Sequence, residues 1–462
     1  MTLRLTNTLS RCKETVKPIR PGQIGIYTCG PTVYDTAHIG NMRTFMFEDL
    51  LKRYLQFKGL KVKHIMNITD VDDRTIQRAI GEDKRLSELT EEYTKLFLAD
   101  ISTLNILPAD NLPAATEFIP QMVEGIAVLL EKGHAYQTDD GSIFFDISSY
   151  KEYGRLARLD PEQTRVGERV ADDNYEKEEA RDFALWKARK PEDDEYAWPS
   201  PWGEGRPGWH MECSTMSMHY LGEHFDIHCG GVDNIFPHHE NEIAQSRCMT
   251  GKPFVNVWLH SEHLIVDGQK MSKSLGNYYT LGDVLEEGYS PEAVRYTLLS
   301  THYRQKLNFT FEKVEESQKA INRLRELIRR LEAVPESQKG IGVESPISEI
   351  ESALDDDLNI SGALGAMFRW AKDLFVALDS GKISYNAALA SLETLRRVDE
   401  IFGVIFFSRD RDDEASIEAL VKEREGARRA RDWKRADAIR DQLRARGIVL
   451  EDTAAGTKWM EG

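Results

Sequence analysis

The chain has 462 residues, of which 41% are hydrophobic, and carries a formal net charge of −17. This length predicts about three domains with sizeable apolar cores. No apolar run reaches the roughly 20 residues of a transmembrane helix, and residues 1–7 lack the apolar core of a secretory signal, so we expect a cytoplasmic protein without a membrane span.

Cysteine usage favours a reducing compartment. Five cysteines in a chain of this length are sparse and odd in number, which argues against a disulfide framework. In such a compartment their thiolates are available to metals. The five are Cys12, Cys29, Cys213, Cys229 and Cys248.

The first predicted element is a buried strand at residues 24–29, followed by a break at residues 30–32. His38-Ile39-Gly40-Asn41 then opens an amphipathic helix. A helix N-terminus that follows a strand is where a doubly wound sheet binds anions, and an imidazole there can donate to a phosphate. By itself, His38 fits a capping or core histidine better than a phosphate donor, and the lysine loop described below reverses that preference.

Strand-like and helix-like segments alternate over residues 20–110, which indicates a doubly wound sheet. The texture changes between about residues 113 and 200, where a hairpin is predicted at 139–141 and an acidic stretch at 172–179. We interpret this region as an insertion that splits the sheet, which resumes at 224–228 and 255–259. Asp70, Asp72 and Asp73 follow the strand at 62–68 and suit either a magnesium site or a set of caps and salt bridges.

A possible metal set lies further along the chain. His238 and Glu242 are four residues apart, which places them on one face of a helix that begins near Pro237. Cys29 and Cys213 can complete a tetrahedral shell of two thiolates, one imidazole and one carboxylate, a mixture that suits zinc. From spacing alone, a solvated or salt-bridged pair is the competing interpretation.

Residues 270–274 read Lys-Met-Ser-Lys-Ser and place Lys270 and Lys273 in a short segment flanked by Gly268 and Gly276. Glycine gives this segment the backbone freedom to close over a polyphosphate, and each ammonium suits developing phosphate charge. The alternative for this lysine loop is an ordinary solvated loop.

Helical periodicity dominates after residue 310, interrupted by a polar linker at 335–342 and a second boundary at 408–413. Between Lys422 and Arg446 there are ten basic residues against five acidic ones, with Trp433 among them. Because the net charge of −17 opposes RNA binding, this basic run is the candidate RNA-contacting face, and a solvated helix is the alternative. Residues 448–452 and 456–459 predict a small strand pair.

The order of His38-Ile39-Gly40-Asn41 and Lys270-Met271-Ser272-Lys273-Ser274 resembles the two signatures of class I aminoacyl-tRNA synthetases. Within that class the chain is most similar to the cysteinyl-tRNA synthetases, through the motifs at residues 29–35, 67–73, 205–213 and 236–242. One position departs from the family pattern. Asn41 stands where the first signature often has a second histidine, so we expect it to donate a neutral hydrogen bond.

The resemblance implies a Rossmann-type α/β fold with a doubly wound parallel sheet, an inserted connective domain, a helical bundle and a small mixed α/β C-terminal module. The implied domains are 1–112 and 201–265 for the two halves of the catalytic domain, 113–200 for the insertion, 266–309 for the lysine loop and stem-contact region, 310–405 for the bundle, and 413–462 for the anticodon-binding module.

The implied reaction is the ATP-dependent joining of L-cysteine to tRNA(Cys) through cysteinyl-adenylate, in a monomer with one Zn²⁺ and with Mg²⁺ carried by ATP. The implied catalytic residues are His38, Asn41, Lys270 and Lys273. The implied ATP-binding residues are His38, Gly40, Asn41, Gly230, Gly231, Asp233 and Lys273. The implied substrate-binding residues are Thr69, Trp209, His210, His228 and His239, and the implied zinc ligands are Cys29, Cys213, His238 and Glu242.

Two other functions share some of these features. A cysteine ligase of mycothiol synthesis, which joins cysteine to an amino sugar, has the same ATP signatures and metal set but does not require the basic C-terminal run. A non-catalytic tRNA-binding relative would not need His38, Lys273 and an intact set of metal ligands.

Overall fold

The computed structural model describes residues 2–160, 164–170, 180–190, 196–406, 411–429, 432–445, 448–453 and 456–461. The chain forms two compact units, Met1–Ile405 and Phe406–Gly462. Some predicted features lie outside the described residues: the acidic stretch 172–179, residues 408–410 of the second boundary, and Arg431 and Arg446 of the basic run.

The strands of the described residues are numbered in chain order. They are β1 (Arg4–Thr6), β2 (Lys13–Thr15), β3 (Gln23–Thr28), β4 (Lys61–Met66), β5 (Ala135–Gln137), β6 (Ile143–Phe145), β7 (Thr164–Val170), β8 (Ala180–Ala188), β9 (Gly205–Pro207), β10 (Phe225–Gly231), β11 (Val255–Ser261), β12 (Leu264–Val266), β13 (Gln269–Lys270), β14 (Leu307–Phe309), β15 (Ile448–Thr453) and β16 (Gly456–Glu461).

The helices are numbered in the same way. They are α1 (Ile39–Phe57), α2 (Asp73–Gly81), α3 (Leu86–Thr103), α4 (Ile119–Glu131), α5 (Trp209–Leu221), α6 (Glu240–Thr250), α7 (Leu281–Glu286), α8 (Pro291–Leu299), α9 (Phe311–Glu332), α10 (Ile347–Leu354), α11 (Ile360–Asp379), α12 (Tyr385–Phe402), α13 (Arg411–Arg429) and α14 (Trp433–Ala445). Over the described ranges, every helix is too short or too polar to cross a bilayer.

A parallel sheet in the order β11-β10-β3-β4 forms the centre of the first unit. β10 is buried along its whole length, as expected for a strand covered on both faces. Chain order reverses between β3 and β10, so the connections leave these two strands in opposite directions and open a crevice at their carboxyl ends. The predicted Rossmann-type sheet is therefore confirmed.

The connection from β3 to α1 is fixed by a close backbone approach. A Cβ atom at Gly30 would lie 1.7 Å from the carbonyl oxygen of Asn67, so only glycine fits there. α1 then packs its apolar residues against the sheet and against α8 and α12, and most of its length is buried. The N-terminus of this buried helix consequently faces the crevice.

The insertion forms a sheet of its own, in the order β5-β6-β8-β7 with β9 paired to β8. β5 and β6 form the predicted hairpin. Asp73 anchors this sheet to α2 through ion pairs with Lys187 (2.7 Å) and Arg206 (2.9 Å). Asp72 caps α2, and Asp70 accepts hydrogen bonds from Thr116, so these carboxylates serve as caps and salt bridges.

A second small sheet, β13-β12-β14, follows the central sheet and leads into the lysine loop, residues 270–276. The predicted cap of α8 is present: Ser290 accepts from the N–H of Ala293, and Pro291 occupies the first helical position. Helices α9–α12 complete the first unit. Buried Arg295 joins them to α1, because it donates to Asp49 (2.6 Å) and to the carbonyl of Phe402 (2.7 Å).

The second unit contains α13, α14 and the antiparallel pair of β15 and β16, which confirms the predicted strand pair. Its small core consists of Val421, Ile439 and Leu443, with Leu420 and Leu450 against it. Trp433 of the basic run is 58% exposed, so it does not contribute to this core.

Candidate active site

A cavity of about 450 Å³ opens at the carboxyl ends of β3 and β10. We call it the central cavity. Its walls come from the turn after β3, the start of α1, the turn after β10 and the segment after the lysine loop. The lining residues are Cys29, Gly30, Pro31, Thr32, Tyr34, Asp35, Thr36, Ala37, His38, Asn41, Thr44, Phe45, Arg74, Trp209, Gly231, Asp233, Asn234, Pro237 and Tyr278.

His38 and Asn41 form a reciprocal cap at the start of α1. The Nδ1 atom of His38 accepts from the Asn41 N–H, and the Asn41 Oδ1 atom accepts from the His38 N–H, both at 3.1 Å. Because Nδ1 is an acceptor, the proton of the neutral ring lies on Nε2. Burial lowers the pKa of His38 below its ordinary value, which favours this neutral donor.

Gly40 brings the two signature segments together. A Cβ atom there would lie 2.9 Å from the His38 ring and 3.1 Å from the methyl group of Met271, so a larger residue would displace both. The backbone N–H of Ile39 also donates to the carbonyl of Tyr279 (3.0 Å). The start of α1 and the segment after the lysine loop are thus in direct contact.

The lysine loop is held by few contacts. Ser272 caps a single 3-10 turn over Lys273–Leu275, which ends at Gly276 in the left-handed conformation (φ 66°). The Lys273 ammonium is 65% exposed, lies 2.6 Å from the Asp35 carboxylate and sits over the Tyr278 ring. The Asp35 hydrogen bond raises the pKa of Lys273. Lys270 is exposed at the end of β13.

The turn after β10 requires its glycines. A Cβ atom at Gly231 would lie 2.3 Å from the Asp233 carboxylate, and one at Gly230 would lie 2.8 Å from the His239 ring. Asp233 is exposed and faces the central cavity, whereas Gly230 is buried behind it. This places an acceptor carboxylate opposite His38, whose pKa it tends to raise.

Five potential ligand residues converge beside this cavity, and we call them the metal cluster: Cys29, Cys213, His238, His239 and Glu242. The ligand atoms of Cys29, His238, His239 and Glu242 all lie within 4.8 Å of one another. Cys213 Sγ is 4.0 Å from Cys29 Sγ, and His239 Nε2 is 3.2 Å from Cys29 Sγ. Sequence reasoning included His239 only as a substrate-binding residue, so its place in this group is an addition.

In the described part of the chain, two buried atoms of the metal cluster lack a hydrogen-bond partner, as expected for atoms that bind a cation. His238 Nε2 and Glu242 Oε1 are 3.1 Å apart, yet neither has a hydrogen-bond partner among the described residues, although both are buried. Such orphaned groups are costly unless something else binds them. The other ring nitrogen of His238 contacts His210 Nδ1 at 2.9 Å. The donor set therefore fits a metal ion.

The backbone that positions His238 differs from the predicted helix start. α6 begins at Glu240 rather than near Pro237, and residues Ile235–His239 form a kinked turn before it. Phe236 is extended (φ −138°, ψ 134°), as expected for a residue before proline. The four-residue spacing still brings His238 and Glu242 together, but across this turn.

Aromatic rings enclose the buried side of the metal cluster. Trp209 stacks on His238 with ring centroids 4.1 Å apart, and Trp258 stacks on His228 at 4.6 Å. His228 Nε2 lies 2.9 Å from Glu242 Oε2, so it orients that carboxylate. Burial lowers the pKa of His210 and of His238 to about 3, which keeps both rings neutral.

Thr69 lies deeper than the other predicted substrate-binding residues. It is 1% exposed, donates to Glu212 Oε2 (2.7 Å) and accepts from Asn67 Nδ2 (3.0 Å). Its backbone also bonds the turn after β3, through the carbonyl of Pro31 and the N–H of Val33. Thr69 thus supports the floor of the crevice.

Most predicted site residues therefore meet at one crevice. His38, Asn41, Asp233, Trp209 and Cys29 line the central cavity. Behind its wall lie the buried members of the site, namely Thr69, His210, Cys213, His228, Gly230, His238, His239 and Glu242. Lys273 reaches the rim through Asp35, and Lys270 is not among the lining residues.

Several contributors were not predicted. Asp35, Arg74 and Tyr278 line the central cavity, and Arg74 lies over the Tyr34 ring at 5.6 Å. Asp35 belongs to the quoted motif at residues 29–35, but nothing in its spacing pointed to a lysine 238 positions away.

Comparison with protein families gives three matches along the chain. The model of the class I tRNA synthetase (C) catalytic domain matches residues 15–319. The DALR domain matches residues 349–407, and the cysteinyl-tRNA ligase anticodon binding domain matches residues 410–459.

Similar proteins cover the chain from end to end. A cysteine–tRNA ligase of Protochlamydia amoebophila is 47% identical over 99% of this chain and 97% of its own length. One of Chlamydia muridarum is 48% identical over 99% of both chains. Among solved structures, Mycobacterium tuberculosis methionyl-tRNA synthetase with methionyl-adenylate has a TM-score of 0.60 at 15% identity, over 83% of this chain and 90% of that one. That structural likeness shows a shared fold.

Proposed function

Because the chain belongs to the cysteinyl-tRNA synthetase family, we propose that its central cavity forms cysteinyl-adenylate and then passes cysteine to tRNA. The overall reaction is the ligation of L-cysteine to tRNA(Cys) with ATP, which releases AMP and pyrophosphate. The roles of individual residues below are inferred from their positions. A single chain supplies all of these residues, so a monomer is sufficient for the reaction. We also propose a cytoplasmic location.

The metal cluster selects the amino acid. A hydrophobic pocket separates close analogues by only about 1–3 kcal/mol, and serine differs from cysteine by one atom. We assign Cys29, Cys213, His238 and Glu242 as the ligands of one zinc ion per chain, because this mixed donor set suits zinc. When bound, zinc lowers the pKa of a cysteine thiol and accepts the thiolate as a further ligand, which a serine hydroxyl does poorly.

The surrounding residues keep these ligands in place. His210 holds the far nitrogen of His238, and His228 holds the second oxygen of Glu242. Such partners fix the orientation of a metal-binding side chain. Trp209 covers His238 and also lines the central cavity, so it forms the side of the pocket where cysteine would lie. His239 approaches Cys29 and is assigned to the substrate pocket.

ATP occupies the central cavity, with Mg²⁺ held mainly by its phosphates. The positive end of the α1 dipole lies at this cavity, and the Nε2–H of His38, which lines it, can donate to an anionic oxygen of ATP. Gly40 and Gly231 allow close approach, and Asp233 is placed to accept from the ribose hydroxyls. Asn41 completes the cap of α1 and offers its neutral amide to the nucleotide.

The chemistry of activation relies on positioning and charge. The cysteine carboxylate attacks the α-phosphorus of ATP, and the bond to pyrophosphate breaks. His38 and Lys273 stabilise the charge that develops on the leaving pyrophosphate, while Lys270 assists closure of the lysine loop. The terminal ribose hydroxyl of the tRNA then attacks the adenylate carbonyl and expels AMP.

The observation that supports cysteine as the substrate is the contact between the central cavity and the metal cluster. Cys29 lines the cavity and belongs to the cluster, and Trp209 lines the cavity and stacks on His238 of the cluster. An assay of the purified protein tests the proposal, with cysteine or serine as amino acid and with tRNA or glucosaminyl-inositol as acceptor. We expect cysteine-dependent pyrophosphate exchange and charging of tRNA. Equal use of serine, or transfer to the amino sugar alone, would contradict it.

A further inference from the structure

A second cavity, of about 80 Å³, lies between the N-terminal segment, the end of β11 and the loop before β14. We call it the arginine cavity. Its lining residues are Thr6, Thr8, Arg11, His260, Tyr303 and Arg304. The described residues that line the central cavity are a different set, so this is a separate space.

The guanidinium groups of Arg11 and Arg304 line this cavity. Burial lowers the pKa of Arg11, and the positive charges of Arg158 and Arg304 lower it further. Arg11 donates to the carbonyl of Leu156 (2.9 Å), which holds it against the loop that carries Arg158. In the described part of the chain, neither Arg11 nor Arg158 forms an ion pair.

Among the described residues, one carboxylate pairs with an arginine of this cavity. Asp357 lies 3.0 Å from an Arg304 nitrogen, and it already accepts from the Thr6 N–H (2.7 Å) and the Tyr303 hydroxyl (2.7 Å). Asp357 is 3% exposed, so its charge is committed to this set of donors. The arginine cavity therefore has a surplus of positive charge, in a chain whose net charge is −17.

The backbone around the cavity is unusual. Seven non-glycine residues have positive φ among the described residues. One of them, Arg11 (60°), lines this cavity, and another, Asp357 (63°), pairs with Arg304 of its wall. Such conformations are unfavourable and persist where the surrounding structure imposes them, often at ligand sites.

We propose that the arginine cavity binds a phosphate group. Its wall brings the guanidinium groups of Arg11 and Arg304 and the hydroxyls of Thr6, Thr8 and Tyr303 to one small space. Guanidinium forks match phosphate oxygens in pairs, and the Thr8 hydroxyl adds a short-range partner. An anion here would relieve the repulsion among the three arginines.

The proposed site is linked to the substrate pocket by hydrogen bonds. Thr8 Oγ1 lies 2.7 Å from His260 Nδ1, and His260 Nε2 lies 2.8 Å from His239 Nδ1. His239 in turn reaches Cys29 at 3.2 Å. A phosphate bound beside Thr8 and His260 is therefore in contact with a continuous polar chain that ends at the metal cluster.

The phosphate has two candidate sources, the backbone of the tRNA substrate and free phosphate or pyrophosphate. They are separated by two measurements on the full-length protein, each with Arg11→Asn plus Arg158→Asn. Asparagine tolerates a left-handed backbone better than most residues other than glycine, so both turns are kept. Lys17→Asn is the control, because it removes one exposed charge from the same N-terminal segment. Circular dichroism confirms that each variant is folded.

The first measurement uses inorganic phosphate without RNA, at constant ionic strength, because pyrophosphate would also bind the central cavity as a product of activation. A ligand that binds the folded state raises the unfolding midpoint. We expect a rise for the wild-type protein and for Lys17→Asn, and a loss of that rise for the double variant. This result would identify a free phosphate ligand.

The second measurement compares tRNA charging with cysteine-dependent pyrophosphate exchange, which needs no tRNA. Were the ligand an RNA phosphate, the KM for tRNA would rise about tenfold relative to the exchange reaction. The slope of log affinity against log salt would fall by about one, as for one lost phosphate contact. Replacing the same two arginines by lysine should restore part of the effect, since the charge returns without the fork.

The proposal fails if the double variant behaves like Lys17→Asn in both measurements. Loss of phosphate stabilisation supports the free-ligand source, and a selective rise in KM for tRNA supports the RNA source. A loss that affects charging and exchange equally would instead indicate damage to the adenylation site and would also overturn the proposal.

Discussion

The metal cluster and the lysine loop border the same central cavity but are built in different ways. The buried ligands of the metal cluster, Cys213, His238 and Glu242, are at most 1% exposed. Aromatic rings enclose them, and His210 and His228 hydrogen-bond to His238 and Glu242. Lys273 is 65% exposed and depends on one carboxylate and one aromatic ring. The difference suggests a division of labour, because selection of an amino acid needs fixed ligands whereas charge stabilisation needs a group that can change partners.

The largest expected effect comes from breaking the buried side. His238→Asn removes one ligand and leaves Glu242 without its facing partner, so we expect loss of the bound metal. Substituting an outer partner of a metal typically costs 10- to 100-fold, so loss of a direct ligand should cost more than about 100-fold in pyrophosphate exchange. Metal analysis by mass spectrometry and the exchange assay measure both. His224→Asn, outside the metal cluster, is the control and should retain metal.

The same measurements decide which residue is the fourth ligand. Cys213→Ser should lose the metal, whereas His239→Gln should keep it and lose about 10- to 100-fold in activity, as expected for an orienting partner. His239 Nε2 lies closer to Cys29 than Cys213 does (3.2 against 4.0 Å), so the outcome is not determined by proximity. Metal retained in Cys213→Ser and lost in His239→Gln would reverse the two assignments.

On the exposed side, Lys273→Ala should lower the rate of cysteine activation about 100- to 1000-fold, which is the cost of removing one preorganised charge-stabilising group. Metal content should be unchanged, since Lys273 contacts Asp35 and Tyr278 rather than the metal cluster. Lys252→Ala is a matched control, because Lys252 is similarly exposed (62%) and paired with Glu223. An unchanged exchange rate in Lys273→Ala would remove this residue from the mechanism.

The two sides also differ in how far the sequence predicts them. The strand, turn and helix around Cys29 and His38 follow local patterns of hydrophobicity and glycine, and the metal set follows from spacing together with the family motifs. The approach of His239 to Cys29 could not be predicted, because His239 follows a kinked turn at Ile235–His239 that spacing does not reveal.

Contacts between residues far apart in the sequence were harder to predict. Asp35 and Lys273 are 238 residues apart, and only the contact between α1 and the segment after the lysine loop brings them together. The arginine cavity is lined by Arg11, His260 and Arg304, which come from three segments without any shared motif. Periodicity describes one element at a time, so it cannot indicate which loops meet in a folded domain.

A fourth prediction concerns His38, which lies between the metal cluster and the lysine loop. Its pKa is lowered by burial, so the ring is neutral above its ordinary pKa of about 6.5 and gains charge only as the pH falls. We expect the rate of activation to stay constant from pH 6.5 to 8 and to decline at lower pH. If an imidazolium with an unshifted pKa were required, the rate would fall about 16-fold over that range.

His38→Asn gives the control for that pH profile. Asparagine is a good N-cap, so α1 should keep its start while the titrating group is lost. The decline at low pH should then disappear from the profile, and the rate should be lower at every pH. A rate for the original protein that falls steadily above pH 6.5 would show that the charged ring is the active form.

The smallest effect should come from Asp35→Asn, which tests whether the exposed side depends on exchange of partners. The Lys273–Asp35 pair is largely solvated, and such pairs contribute about 0.2–1 kcal/mol. Without the carboxylate, Lys273 need not leave a partner to reach a phosphate, and a negative charge is removed from the cavity. The KM for ATP should therefore fall about two- to fivefold, as measured by pyrophosphate exchange. A KM that rises more than tenfold would show instead that Asp35 holds Lys273, or the magnesium of ATP, in its working position.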